Sequence, residues 1–235
     1  MPKISILVAV LAAAFVAAAQ AQSMTVSAAM RAYNTGDYQT AYRLLHDAAE
    51  AGDPEAEANL GYMYARGQVV VQDERKAIDL YQRSANQGDG EGMNALGYVY
   101  AFGTKHDMSQ AVHWFCQAIA RGNPRAMNNL AGVLYSGGDG VPRDVDQARS
   151  LWEQAAALGN GGAMLNLGRS YADTDKATGT QWVKRAALAG QPDAQEILRS
   201  SGYTGALPPP RSEAAMMIPE TKNPPGKAKL CGAAS

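Results

Sequence analysis

Small and apolar side chains return at every third and fourth position along much of the chain. Ala77, Leu80, Tyr81, Ser84 and Ala85 share one face of a helix with 3.6 residues per turn. The same face returns as Ala111, Trp114, Phe115, Ala118 and Ile119, and again as Ala148, Leu151, Trp152, Ala155 and Ala156. Large residues in the middle and alanines at the ends predict helices that approach closely at alanine and fill the space between layers with a ring or a leucine. Each of these segments follows another helical stretch, of which "ANLGYMYARG" (58–67) and "NALGYVYAFG" (94–103) are near copies.

Two glycine series set the period. Gly61, Gly97, Gly132 and Gly168 are 36, 35 and 36 residues apart, and Gly52, Gly88, Gly122, Gly159 and Gly190 are 36, 34, 37 and 31 apart. One period in two interleaved series predicts one supersecondary unit repeated, a helix, a loop and a second helix. The second series closes helices, since glycine takes the left-handed conformation that ends a helix without a side-chain clash. Pro54, Pro124 and Pro192 follow two residues after three of these glycines, where a missing N–H costs a starting helix nothing. The loops "ARGQVVVQD", "AFGTKHD" and "SGGDGVPRD" each end in an aspartate, Asp73, Asp107 or Asp144, predicted to cap the second helix of its unit.

The fold expected is all-α: an α-solenoid of stacked helix-turn-helix repeats with a disordered, Pro-rich C-terminal tail. Residues 1–21 read as a signal peptide, 22–52 as a degenerate leading repeat, 53–202 as the repeat array and 203–235 as a flexible tail that holds six of the eleven prolines. In the third full unit the register of the first helix is ambiguous by one residue, because counting from Ala126 and from Tyr135 gives different answers. The fourth full unit has a shortened loop and places Gly179 and Val183 where an alanine and an aromatic belong.

Leu60-Gly61 with Tyr64 and Gly67, then Val70, Asp73, Ala77, Tyr81, Ser84-Ala85 and Gly88, resembles the Sel-1-like repeat, a branch of the tetratricopeptide superfamily. The likeness extends over about residues 25–200 and is similar to the exported bacterial type. It implies a protein–protein interaction scaffold rather than an enzyme, with the first helices of the repeats lining a concave side. The other reading implied is a β-lactamase-like hydrolase, because some cysteine-rich members of the family carry that label. Those members have a cysteine pair in each repeat, a pattern this chain lacks.

Met1 to Ala21 hold one lysine, the apolar run Ile4–Ala19 and an Ala-Gln-Ala site before Gln22. The run is shorter than a membrane span needs and reads as a cleavable export signal. The expected location is therefore periplasmic or secreted, without integral membrane insertion after cleavage. The formal net charge is −1, with lysine and arginine scattered among aspartate and glutamate, so nucleic acid is not the expected partner. A protein or peptide is.

No arrangement of nucleophile and base, phosphate-binding loop or zinc motif is written in the chain. Catalytic, cofactor and metal sites are accordingly expected to be none. His46, His106 and His113 fall at unrelated places in different units. Counting from each Leu-Gly pair, the candidate partner-binding residues are Asn59, Tyr62, Arg66, Asn94, Tyr98, Asn129, Asn166 and Arg169. A recurring asparagine can hold the backbone of an extended peptide through its amide donor and acceptor; the alternative is that it bonds loop carbonyls of the next repeat. Tyr64, Tyr100 and Tyr135 read as inter-repeat core. Cys116 lies on the polar side of a second helix and Cys231 in the tail. In an oxidising compartment they pair with each other, stay free, or leave Cys231 to pair with another molecule.

Overall fold

The computed structural model describes residues 24–209 and Cys231; the expected signal peptide lies outside these residues, as does most of the expected tail. Eleven helices occupy the described residues: α1 (24–34), α2 (Tyr38–Glu50), α3 (Pro54–Arg66), α4 (Glu74–Asn86), α5 (Gly90–Phe102), α6 (Met108–Ala120), α7 (Pro124–Ser136), α8 (Val145–Ala157), α9 (Gly161–Ser170), α10 (Lys176–Leu188) and α11 (Pro192–Ser200). No strand occurs among the described residues, only an isolated bridge between Gly138 and Val141. The chain forms two compact units, one ending at Gln87 and the other starting at Gly88. Within the first, α3 pairs with α4 as an antiparallel hairpin and α2 packs on α3. Within the second, α5–α6, α7–α8 and α9–α10 are hairpins, α6 packs on α7, α8 on α9, and α11 closes on α10. Stacked helical hairpins in sequence order are the architecture of an α-solenoid, and no hairpin hides its apolar face alone.

Capping works as the sequence implies. Gly52, Gly88, Gly122, Gly159 and Gly190 all have φ between 80° and 89°. The residue after each of the first four then starts the next helix: Asp53 Oδ1 accepts from Ala56 N at 2.9 Å, Asp89 from Gly92 N at 2.7 Å, Asn123 from Ala126 N at 2.9 Å and Asn160 from Ala163 N at 2.8 Å. Asp73, Asp107 and Asp144 accept from Lys76 N, Gln110 N and Gln147 N at 2.9, 3.0 and 2.9 Å. Each cap satisfies a backbone donor that the helix leaves without a partner.

The glycines beside leucine have a packing reason, with one exception. A Cβ on Gly61 would lie 2.7 Å from the Tyr81 ring, on Gly97 2.5 Å from the Phe115 ring, and on Gly168 2.8 Å from Val183 Cγ2. Each is a seat for the large side chain of its partner helix. A Cβ on Gly132 meets nothing within 4 Å. The seat in α7 belongs to Ala131, which is fully buried beside Leu130. The equivalent pairs are therefore Leu60-Gly61, Leu96-Gly97, Leu130-Ala131 and Leu167-Gly168, spaced like the helix-ending glycines, and the expected placing of Gly132 in that series is corrected by one residue. By the same count Leu134 takes the position of Tyr64 and Tyr100. Tyr135 is partly buried one step along, its ring 5.4 Å from Trp152.

The core positions vary in kind as well. Four residues before the seat, α5, α7 and α9 carry Met93, Met127 and Met164, all buried, whereas α3 carries Glu57 at 1% exposure. Its carboxylate pairs with Arg83 at 2.5 Å and accepts from Gln87 Nε2 at 2.8 Å. Those partners make burial of the charge tolerable. At the other end, Tyr203 and Leu207 pack against the core of α8 to α11 around Leu165 and Leu198, and fully buried Gln195 donates to Pro208 O at 2.8 Å. The first residues of the expected tail are thus part of the array's cap.

Candidate interaction surface

Once the register is set by the seats, the candidate residues fall into two rows on the first helices. Two residues before the seat stand Asn59, Ala95, Asn129 and Asn166. One residue after it stand Tyr62, Tyr98, Gly132 and Arg169. These rows are three residues apart and share a face. Asn94 belongs instead with Asn128, three residues before the seat, where the face turns toward the next repeat.

In the second unit the amides meet in pairs across repeats. Asn129 Nδ2 donates to Asn94 Oδ1 at 2.9 Å, and Asn166 Nδ2 donates to Asn128 Oδ1 at 3.0 Å. Asn94 is buried, while Asn128, Asn129 and Asn166 are partly exposed. Each bond uses one donor of one amide and the acceptor of the other, so an amide side chain keeps capacity beyond the rung. The rungs tie successive first helices edge to edge. Within the α7–α8 hairpin, Trp152 donates its indole N–H to Asn128 O at 3.3 Å. Asn128 escaped the sequence reading because the third unit was counted from Gly132; Leu130 was the signal that could have found it.

Aromatic and charged residues flank the rungs. Tyr98 and Phe102, one turn apart on α5, are 54% and 56% exposed with ring centroids 5.1 Å apart. Phe102 is a residue the sequence reading did not select, although its spacing from Tyr98 gave it away. Arg169 is exposed, 3.9 Å from Asp193. Arg125 and Glu91 face each other at 3.7 Å.

In the first unit Asn59 is 5% exposed and donates to Glu55 O at 2.8 Å. Its buried Oδ1 has no hydrogen-bond partner among the described residues. Tyr62 is partly buried with its edge toward Tyr33, and the Arg66 guanidinium lies 5.6 Å from the Tyr62 ring. Another polar group joins α2, α3 and α4: the Tyr42 and Tyr64 hydroxyls are 2.9 Å apart and Lys76 Nζ is 4.4 Å from the Tyr64 ring centroid. The hydrogen bond to Tyr64, with burial, pushes Tyr42 up to about 12. Burial of Tyr64 acts upward, but hydrogen bonds from Lys76 and Tyr42 outweigh it and hold that phenol below its usual range.

The three histidines remain scattered. His46 leans on Tyr42, His113 on Trp114, and His106 Nε2 is 3.1 Å from Asp139 Oδ2 at the surface. Among the described residues no group of three or more His, Cys, Asp or Glu side chains gathers as a metal would require, and no helix is long and apolar enough to cross a membrane. Cys116 on α6 and Cys231 are joined by a disulfide with Cα atoms 5.3 Å apart.

Capped hairpins of 13-residue helices, stacked on small-residue seats and tied by amide rungs, define an α-solenoid of the tetratricopeptide-like class, whose repeats serve protein interaction. The chain belongs to the Sel1 repeat family, whose profile matches residues 31–53, 54–89, 90–123 and 124–160. The α9–α10 hairpin follows those four copies with the same seat and caps. Among solved structures, a Sel1 repeat protein from Oxalobacter formigenes is similar at 27% identity, over 76% of this chain and 77% of that one, with a TM-score of 0.62. A protective antigen of uropathogenic Escherichia coli with an SLR fold is 24% identical over 83% of this chain, which spans 44% of the antigen, at a TM-score of 0.61. Immunity protein Pa5087 from Pseudomonas aeruginosa is 21% identical over 75% of this chain and 66% of its own length, at 0.57. No curated protein matches the chain. Sel1 repeats are protein-interaction modules, and their scaffold is typically non-catalytic.

Proposed function

We infer that the chain is an exported, non-catalytic scaffold that binds a protein or peptide partner on the face of its first helices, the concave side in solenoids of this kind. The observation that carries this reading is the contrast between the two helix layers of the second unit. The second helices α6 and α8 bury the ring of Phe115 and the indole of Trp152. Among the first helices, α5 instead leaves an aromatic pair, Tyr98 and Phe102, more than half exposed, beside the partly exposed amides of α7 and α9. Exposed aromatics with adaptable hydrogen-bonding groups are what interfaces favour. The near-zero net charge supports a protein rather than a nucleic acid as partner. Export is supported by the pattern of residues 1–21 and by a disulfide, a bond that persists in oxidising compartments.

Two measurements test it. Mass spectrometry of the protein recovered from a fractionated bacterial host is expected to find it outside the cytoplasm with Gln22 at its N-terminus. A photo-crosslinking residue placed at Tyr62 or at Tyr98 is expected to capture the same partner, while one at Glu153 on the outer side of α8 captures none. Capture from Glu153 and from neither tyrosine would put the interaction on the other layer.

A further inference from the structure

The loop between α3 and α4 is strained at a valine. Val69 has a φ of 70°, a left-handed conformation that makes a β-branched residue a genuine outlier. The α7–α8 loop shows the unstrained solution. Four residues before its cap, Asp144, it places Gly140 with a φ of 83°, and Val69 likewise stands four residues before Asp73. The residue that follows turns inward in both loops, Val141 buried and Val70 partly buried. Val69 and Val71 are instead 43% and 89% exposed. Strain and bared apolar surface both oppose stability, and together in one short loop they point to use. The loop is held firmly as well. Gln68 N donates to Met63 O at 3.1 Å and Asp73 N to Tyr64 O at 3.0 Å. Gln72 Nε2 donates to Ala65 O at 2.9 Å, and the Tyr33 hydroxyl of α1 donates to Gln68 Oε1. Exposed Tyr38 adjoins the loop through Tyr33, with ring centroids 5.0 Å apart.

We propose that Val69 and Val71 form an anchor that inserts into an apolar pocket on a folded partner protein. Shape sets the class of occupant: the anchor is convex, so what covers it is concave, and an extended peptide has no pocket to offer. A second copy of this chain meeting it loop to loop would bury only the tips of the valines, far short of the roughly 1,000 Å² that a specific interface buries. A lipid surface fits poorly by charge. Asp73, Glu74, Arg75 and Lys76 follow the loop, two of each sign, whereas anionic lipid draws clusters of cations. Gln68 and Gln72 turn their side chains back to the protein, so the contact offered is apolar. Holding the loop in one conformation lowers the entropy lost on binding, a gain that offsets the strain at Val69. The anchor lies in the first unit and does not depend on the first-helix face; it adds a contact of another shape.

The test places a photo-crosslinking residue at Tyr38, beside the anchor, in the full-length protein inside the cells that make it. The captured protein is identified by mass spectrometry, purified and titrated calorimetrically against the parent and three variants. Val71→Ala is expected to weaken binding about tenfold and Val71→Asp more than about a hundredfold. Asparagine tolerates the left-handed conformation, so Val69→Asn is expected to weaken binding about tenfold while raising the melting temperature by roughly 2–4 °C. A valine with a purely structural role would not move stability and affinity in opposite senses. Affinity indifferent to Val71→Asp overturns the anchor, as does a Val69→Asn protein that melts below the parent, or a Tyr38 crosslinker that captures nothing. Binding to phosphatidylglycerol vesicles that Val71→Asp abolishes would make the occupant a membrane. A sedimenting dimer that Val71→Asp abolishes would make it a second copy. Capture from Tyr98 with none from Tyr38 removes the anchor and leaves the first-helix face standing; capture from Tyr38 with none from Tyr98 does the reverse.

Discussion

The α5–α6 and α7–α8 hairpins solve one packing problem in two ways. In the first, Gly97 gives up its side chain so that the Phe115 ring can sit within 2.5 Å of where a Cβ would be. In the second, the ring is the larger indole of Trp152, the small residue is Ala131, and the indole N–H reaches Asn128 O. A polar contact to the facing helix helps hold the indole where α5 relies on an absent side chain. The glycine of α7 is thereby released to the open row of the first helices. Equal spacing of glycines does not mean equal duty. What defines a repeat is the seat, and whichever small residue fills it.

Ways to break this comparison run from large effects to small. Of the two hairpins only α5–α6 carries an end of the disulfide, which ties Cys116 to Cys231, 115 residues away in sequence; replacing both cysteines by serine is expected to cost up to about 4–5 kcal/mol in the chain-entropy model, read as a lower denaturation midpoint in urea. Next comes Phe115→Ala, which empties the seat of α5 and is expected to cost about 3–5 kcal/mol. Trp152→Phe keeps most of the ring and deletes the donor to Asn128, for about 1 kcal/mol. A loss as large as that of Phe115→Ala would mean that the indole, too, is held mainly by burial.

The smallest effect concerns the position where α7 has Leu134 and α3 has Tyr64. Tyr42 is raised, so its contribution to stability is complete below the unfolded value of 10.0 and is lost as pH climbs toward about 12. Tyr64 is lowered, so its contribution exists above the unfolded phenol value and is lost as pH falls through its folded one. Near neutrality neither ionisation matters. Ultraviolet titration of phenolate absorbance is expected to show the late phenol moving down in Tyr64→Phe and the early one moving up in Lys76→Met. An unchanged late phenol in Tyr64→Phe would contradict the pairing.

Much of this was legible because it is local. Helix-ending glycines, Asp caps and the three-and-four spacing each depend on residues within one turn of one another, and they placed every hairpin. The seat of α7 was misplaced because a glycine is visible in sequence while the absence of a neighbour is not. The amide rungs, Asn129 to Asn94 and Asn166 to Asn128, join residues 35 and 38 apart and needed the stacking to be seen. Glu57 was invisible for a similar reason: a glutamate in a first turn reads as solvent-facing until Arg83 and Gln87 close over it.

The central claim is that Gly97 is a seat and Gly132 is not, and paired thermal melts of Gly97→Ala and Gly132→Ala test it most directly. Gly97→Ala is expected to lower the melting temperature, since a methyl group there runs into Phe115. Gly132→Ala is expected to raise it, by the roughly 1 kcal/mol that alanine gains over glycine inside a helix. Shifts of the same sign would contradict the assignment of the seats, and with it the open row on the first helices.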